Sequence, residues 1–352
     1  MVSFQYNRAV QQSILASWAG AEHRYRKAST LSSSSQNGSL WLSAVPFTKQ
    51  LRISRDEFNA LLQARLELPL FSTMKLACTK TKPGTMNPSE VTSWHHLATC
   101  QTCEKTTRHQ RVLGSLVDAL KHLGVPGSLI TTGFDGITMS SIFSIKDEIL
   151  NQTAGAFPAQ DMDEDTTVDV LTYARGAGKT KKLTTKEEAE RIRADVVVGT
   201  SDNDSPRIVL DVTVSRPDFS PEVLKQNLSG KAAKDAEERK LAHYGSKFIL
   251  DRRNGKVTPF SVESGGLIGK MGYKYLRDIA ENNFGTYLDP TSGQRKLRAK
   301  GIKCLREALM MVSVGIARGQ AALLRLSLRK HQDEGGKLLG VAAIGAGVGV
   351  QP

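Results

Sequence analysis

Two short apolar runs in this chain are each interrupted by one aspartate. Asp195 stands in Arg193-Ala194-Asp195-Val196-Val197-Val198, and Asp211 in Ile208-Val209-Leu210-Asp211-Val212-Thr213-Val214. Their β-branched content reads as two strands, and the stretch Thr200–Pro206 between them has the composition of a hairpin turn. An unpaired carboxylate inside such a strand is costly to bury, so each aspartate needs a partner or a chemical task. Adjacent strands can bring the two onto one divalent cation, and hard cations, oxygen ligands and phosphate substrates belong together chemically.

A phosphodiester-cleaving site of this kind needs two acidic ligands for Mg²⁺ and a lysine to steady the attacking water or the charge developing on phosphorus. One arrangement sets an acid on one strand and acid-x-Lys on the next. Here the lysine position holds Thr213; a lysine from the following helix can reach the same space, with Lys240 the candidate and Lys225 behind it. A plainer reading pairs Asp195 with Arg193 or a nearby lysine and leaves Asp211 to close a turn.

Charge favours the first reading. The 352 residues are enough for two or three compact units, and 39% hydrophobic with 24% charged residues is a globular composition. A formal net charge of +13 points to a polyanionic partner, nucleic acid before an anionic membrane surface. The basic residues recur around the aspartates: Lys179, Lys181, Lys182 and Lys186 precede them, and Lys225, Lys231, Lys234, Arg239, Lys240, Lys247, Arg252 and Arg253 follow. Arg193, Lys225, Lys234 and Arg239 are the candidates for phosphate contact. DNA is favoured over RNA as the partner, with no membrane and no small-molecule substrate expected. Arg175-Gly176-Ala177-Gly178-Lys179-Thr180 ends like a phosphate-binding loop, but Tyr173 stands where the first glycine is required, so a basic loop is the better description.

Four cysteines in a chain of this length do not make a disulfide scaffold. Cys78, His96, Cys100 and Cys103 can instead form a tetrahedral Zn²⁺ site, with His95 able to replace His96 and His109 to replace Cys78. Zinc would explain how the aperiodic segment 74–107 folds, since binding energy substitutes for a missing core. The alternative is reduced cysteines beside exposed histidines. Met1–Ser13 is polar, without the apolar core of a secretory signal, and the Gly-rich run 338–350 is shorter than the roughly 20 residues a bilayer requires. A nuclear or cytoplasmic location follows as an expectation.

Along the chain, residues 1–39 read as an N-terminal segment ending in a Ser-rich linker, and 40–73 as helical. Ser54-Arg55-Asp56-Glu57 has the form of a capping box opening a helix over 54–68, with Phe58, Leu61, Leu62 and Leu66 as its core stripe. A zinc-knuckle-like segment spans 74–107. From Arg108 a helix follows, with Val112, Leu113, Leu116, Leu120 and Leu123 on one face and Gly124 as its stop. A short strand is expected at Leu129–Thr132, an acidic insertion at 151–169, and the end of a short helix at Ala189–Ile192. Beyond the aspartate strands come a helix over Ser229–Tyr244, a strand pair at Lys247–Leu250 and Val257–Val262 about the turn Arg253-Asn254-Gly255, and helices over 266–284 and 297–331. The order α–β–β–β–α–β–β over 108–262 predicts an α/β fold, a small mixed sheet flanked by helices. An α/β domain over 108–284, a helical segment at 285–334 and a flexible tail at 335–352 complete the expected organisation.

Taken together, these residues resemble the C-terminal region of LINE-type (non-LTR) retrotransposon reverse-transcriptase polyproteins, downstream of the polymerase. The likeness runs over roughly 40–330, through Trp41–Pro46, Ala64–Leu66, His96–Cys100, Arg108-His109, Arg193–Asp195, Leu210–Val214, Ala236–Lys240 with Tyr244, and Pro259–Glu263. It implies a zinc knuckle followed by a restriction-endonuclease-like domain of the PD-(D/E)xK class, with the two motif acids at Asp195 and Asp211 and the displaced lysine at Lys240. Ala194 stands where the motif carries proline.

Overall fold

The computed structural model describes residues 27–66, 105–146, 192–199, 207–215, 230–250 and 255–334, with brief interruptions. The architecture is mixed α/β. Its described helices are α1 (Arg55–Leu66), α2 (Lys105–His122), α3 (Lys231–Lys247), α4 (Lys270–Phe284) and α5 (Ala299–Glu334). Strands β1 (Ile130–Thr132), β2 (Val196–Val198), β3 (Arg207–Ser215) and β4 (Gly255–Glu263) form one sheet in that order, and β5 (Thr286–Leu288) pairs with β6 (Arg295–Leu297) in a separate hairpin. Two compact units divide the chain. One comprises residues 126–211 and 238–258, the other 1–125, 212–237 and 259–352.

In the first unit β2 runs antiparallel to both β1 and β3, with Val197 opposite Thr131 on one side and Val209 on the other. Ala194, Val197, Val209 and Val257 pack with Met139, Phe143, Tyr244 and Phe248 into one apolar cluster. The segment ahead of β2 is fixed by backbone hydrogen bonds, from Ala194 N–H to Ile137 O at 3.1 Å and from Gly133 N–H to Asp195 O at 2.8 Å. Gly133 approaches so closely that a Cβ there would lie 2.5 Å from Ala194 O.

In the second unit α5 packs chiefly on α2 and also on α4, α1 and the 3-10 turns Leu40–Ser43 and Lys49–Leu51. Val112, Leu116, Leu120 and Leu123 are fully buried, as are Val312, Ile316 and Leu323 of α5. Gly315 and Gly319, one turn apart, let the helix backbones close: a Cβ at 315 would overlap Ser115, and one at 319 would lie 3.1 Å from Arg108. The span Ala299–Leu326 is apolar and long enough to cross a membrane, yet 78% of its most apolar window is buried within the protein. Two buried glutamates occupy helix N-termini, where the helix dipole favours negative charge. Glu237 accepts the Met271 N–H of α4 at 3.0 Å, and Glu263 accepts the Ala233 N–H of α3 at 3.4 Å.

Several expectations hold in detail. Ser54 and Glu57 exchange the capping-box hydrogen bonds, Ser54 N–H to Glu57 Oε2 at 3.0 Å and Glu57 N–H to Ser54 Oγ at 3.3 Å. Gly124 ends α2 at φ +90°, with Val125 N–H bonding back to Leu120 O and Gly124 N–H to Lys121 O. Others are corrected. Phe58 is 39% exposed, so the stripe of α1 is only partly core. Helix α3 continues past Tyr244, and Phe248 N–H still bonds to Tyr244 O at 2.8 Å. Lys247 therefore belongs to the helix and Phe248 to an isolated bridge, while Ile249 and the expected turn at 251–254 lie outside the described residues. Asp195 lies in a bend just ahead of β2 rather than inside it. The acidic insertion, residues 74–104 of the knuckle segment, the tail 335–352 and Lys225 lie outside the described residues, and residues 105–107 already belong to α2.

A candidate metal centre of two opposed aspartates

The site is built from the β2/β3 register. Val196 faces Leu210 and Val197 faces Val209, so extending the ladder by one residue sets Asp195 opposite Asp211. Directly opposed positions of an antiparallel pair bring Cβ atoms within about 4.5–5.5 Å, where like charges repel. When one of the two carboxyls is protonated, the side chains share a hydrogen bond. Asp211 is 6% exposed and lies on the same strand face as Val209, toward the core cluster that contains Tyr244.

Helix α3 supplies the rest. Lys240 and Tyr244 are four residues apart and share a helix face. Lys240 Nζ lies 3.2 Å from Asp211 Oδ2, and the Tyr244 hydroxyl donates to the same oxygen at 2.7 Å. Lys240 Nζ also sits 6.0 Å from the centre of the Tyr244 ring. His243 stacks edge-on against Tyr244, with ring centres 5.5 Å apart.

Burial is the dominant influence on Asp211 and lifts its pKa to about 6. Lys240 opposes that rise, the charge of Asp195 adds to it, and the Tyr244 hydroxyl lowers it again. Tyr244 is pushed well above its ordinary range by burial and then by the adjacent carboxylates. His243 is pulled down to about 4, first by burial and then by Lys247 and Lys240, so it is neutral at physiological pH.

Of the residues nominated from sequence, Asp195, Asp211 and Lys240 come together. Arg193 is exposed and bridges Thr138 across the backbone, while Lys234 and Arg239 are exposed on α3. His109, the alternative zinc ligand, meets the Val212 carbonyl with Nε2 at 3.1 Å. Thr213, at the motif's lysine position, has a buried Oγ1 with no hydrogen-bond partner. Cys78, His96, Cys100 and Cys103 fall outside the described residues. Tyr244 is among the residues that carry the resemblance, but sequence reasoning assigned it no role in the site; its i, i+4 spacing from Lys240 was a second signal.

The donor set suits a hard divalent cation. It offers only carboxylate oxygens from two positions that a fixed strand register holds face to face, and two opposed carboxylates gain from a cation between them. Lys240 places one positive charge at Asp211 already, leaving the pair short of neutral when both acids are ionised. No family model, curated protein or solved structure matches this chain.

Proposed function

We propose that this chain is a nucleic-acid-binding, Mg²⁺-dependent endonuclease-like protein of non-LTR retrotransposon origin, acting on DNA before RNA through a restriction-endonuclease-like core. One observation carries the reading: Asp195, one position beyond the β2/β3 ladder, acts on Asp211, and Lys240 lies 3.2 Å from Asp211. Asp195 and Asp211 are the residues that would hold Mg²⁺, which when bound polarises a phosphoryl oxygen and lowers the pKa of a bound water. Lys240 orients the attacking water and offsets charge developing on phosphorus, in the part that the usual acid-x-Lys lysine would play. Tyr244 fixes the Asp211 carboxylate. Arg193, Lys225, Lys234 and Arg239 bind backbone phosphates. A Zn²⁺ held by Cys78, His96, Cys100 and Cys103 belongs to the same proposal and would order the knuckle segment.

Mg²⁺-dependent nicking of supercoiled plasmid by the full chain tests this. The parent should nick, and Asp211→Asn should lose at least about 100-fold in rate while keeping its fold and DNA affinity. A variant that nicks as well as the parent overturns the site. A parent that binds DNA but fails to cut under any divalent metal would mark the chain as an inactive, nucleic-acid-binding remnant.

A further inference from the structure

A second group of metal-ligating side chains gathers where α2 meets α5. His122, Cys304 and Glu307 each present one ligand atom, all within 4.8 Å of one another, and all three are half-buried. His122 Nε2 and Glu307 Oε2 are 2.9 Å apart. Cys304 and Glu307 stand three apart on α5, so one helix face presents both. We propose that His122, Cys304 and Glu307 form a zinc site that ties the end of α2 to α5, with water as the fourth ligand.

Three observations carry this. The donor set is one imidazole nitrogen, one sulfur and one carboxylate oxygen, a mixture suited to borderline Zn²⁺ rather than to Mg²⁺ or Ca²⁺. The backbones that present it are fixed before any metal arrives. His122 is the last residue of α2, and the Gly124 turn locks the chain just beyond it. Asn283 Nδ2 donates to Leu123 O at 2.8 Å and ties that turn to α4. On the other side, the close approach of α2 and α5 at Gly315 and Gly319 sets the helix pair rigidly. The C-terminal end of a helix carries partial negative charge, so the end of α2 favours a cation beside His122. Binding exchanges the His122–Glu307 contact for two metal bonds and deprotonates the Cys304 thiol, its proton passing to solvent.

Sulfur chemistry gives a readout confined to this site. Iodoacetamide alkylation of the full chain, followed by peptide mass spectrometry, reports Cys304 separately from Cys78, Cys100 and Cys103. After chelator stripping, one equivalent of Zn²⁺ beyond any the other cysteines take should slow alkylation of Cys304 by about tenfold or more, and renewed chelation should restore it. In His122→Ala that protection should need at least about tenfold more zinc, since losing even an outer partner of a ligand costs that much. Elemental analysis supplies an independent check: Cys304→Ser should hold about one zinc fewer than the parent, whatever Cys100→Ser does. Cys304 alkylation indifferent to zinc, with equal zinc content in parent and Cys304→Ser, would reduce the cluster to a His–Glu ion pair beside a thiol and overturn the proposal. Loss of zinc from Cys100→Ser alone would leave the knuckle standing and remove this site.

Discussion

Tyr244 and Lys240 converge on a single oxygen, Oδ2 of Asp211, at 2.7 and 3.2 Å. One neutral donor and one cation on the same atom hold the carboxylate in a fixed orientation. That arrangement sets the first prediction. Tyr244→Phe removes the donor without changing the packing of the ring. Asp211 should then titrate above about 6, because the lost hydrogen bond favoured its ionised form. Folding should weaken by about 1–3 kcal/mol, the cost of losing a buried bond to a charged group. Chemical denaturation and the pH–rate profile of nicking check the two effects together. An unmoved profile would show that the hydroxyl does not act on Asp211.

The raised pKa of Asp211 has a definite sign in stability. Between about pH 4 and 6 the native state holds a proton on Asp211 that the unfolded chain has released. Without divalent metal, this group therefore makes the protein less stable as pH rises through that window, by on the order of 2–3 kcal/mol, and adds no slope above it. Asp211→Asn should lack this contribution, so the parent-minus-variant difference in urea stability between about pH 4 and pH 7 isolates it. Mg²⁺ should stabilise the parent more at about pH 7.5 than at pH 5, since it binds the deprotonated pair. Equal stabilisation at both values would detach the cation from these acids.

Gly133 offers a route to Asp195 that leaves both acids in place. Its N–H holds Asp195 O, and a Cβ would lie 2.5 Å from Ala194 O. Gly133→Ala should displace the bend that carries Asp195, costing about 1–3 kcal/mol of stability. Nicking should suffer more than DNA binding, because catalysis tolerates an ångström of misplacement far less than phosphate contact does. A variant with parental stability and nicking would show that the bend yields freely.

The exposed positive charge on α3 is a matter of salt. With on the order of five phosphate contacts, the log–log slope of duplex affinity against salt should be near −4 to −5. Replacing Lys234 and Arg239 by alanine should make it shallower by about one unit per lost contact, with sequence preference unchanged. A flat dependence in the parent would assign the +13 charge to solubility instead.

The aspartates were legible because a carboxylate beside a run of valine and leucine contradicts its surroundings, a contradiction visible without coordinates, and Lys240 because the motif's lysine position holds Thr213 and the next helix offers a lysine. Tyr244 was not, because an aromatic at helical spacing looks the same whether it fills a core or bonds through its hydroxyl. The end of α3 was misplaced because Phe248 and its neighbours are strand formers, yet the hydrogen bond to Tyr244 O carries helical geometry onward. Strands β5 and β6 have three residues each, too short to show a period of two. His122 and Glu307 lie 185 residues apart, and only packing of α2 on α5 brings them together.

The opposition of Asp195 and Asp211 exists in one alignment of β2 on β3. A slip of a single residue would turn one carboxylate to the other face of the sheet and leave the other buried alone. Short valine-rich strands offer many nearly equivalent alignments, so their side chains alone discriminate weakly among them. A divalent cation binds only where both carboxylates meet, and by mass action it adds its binding free energy to that alignment and to no other. The ion would thus act as a gauge for strand pairing during folding, selecting the hairpin in which chemistry is possible and leaving the shifted ones unsupported.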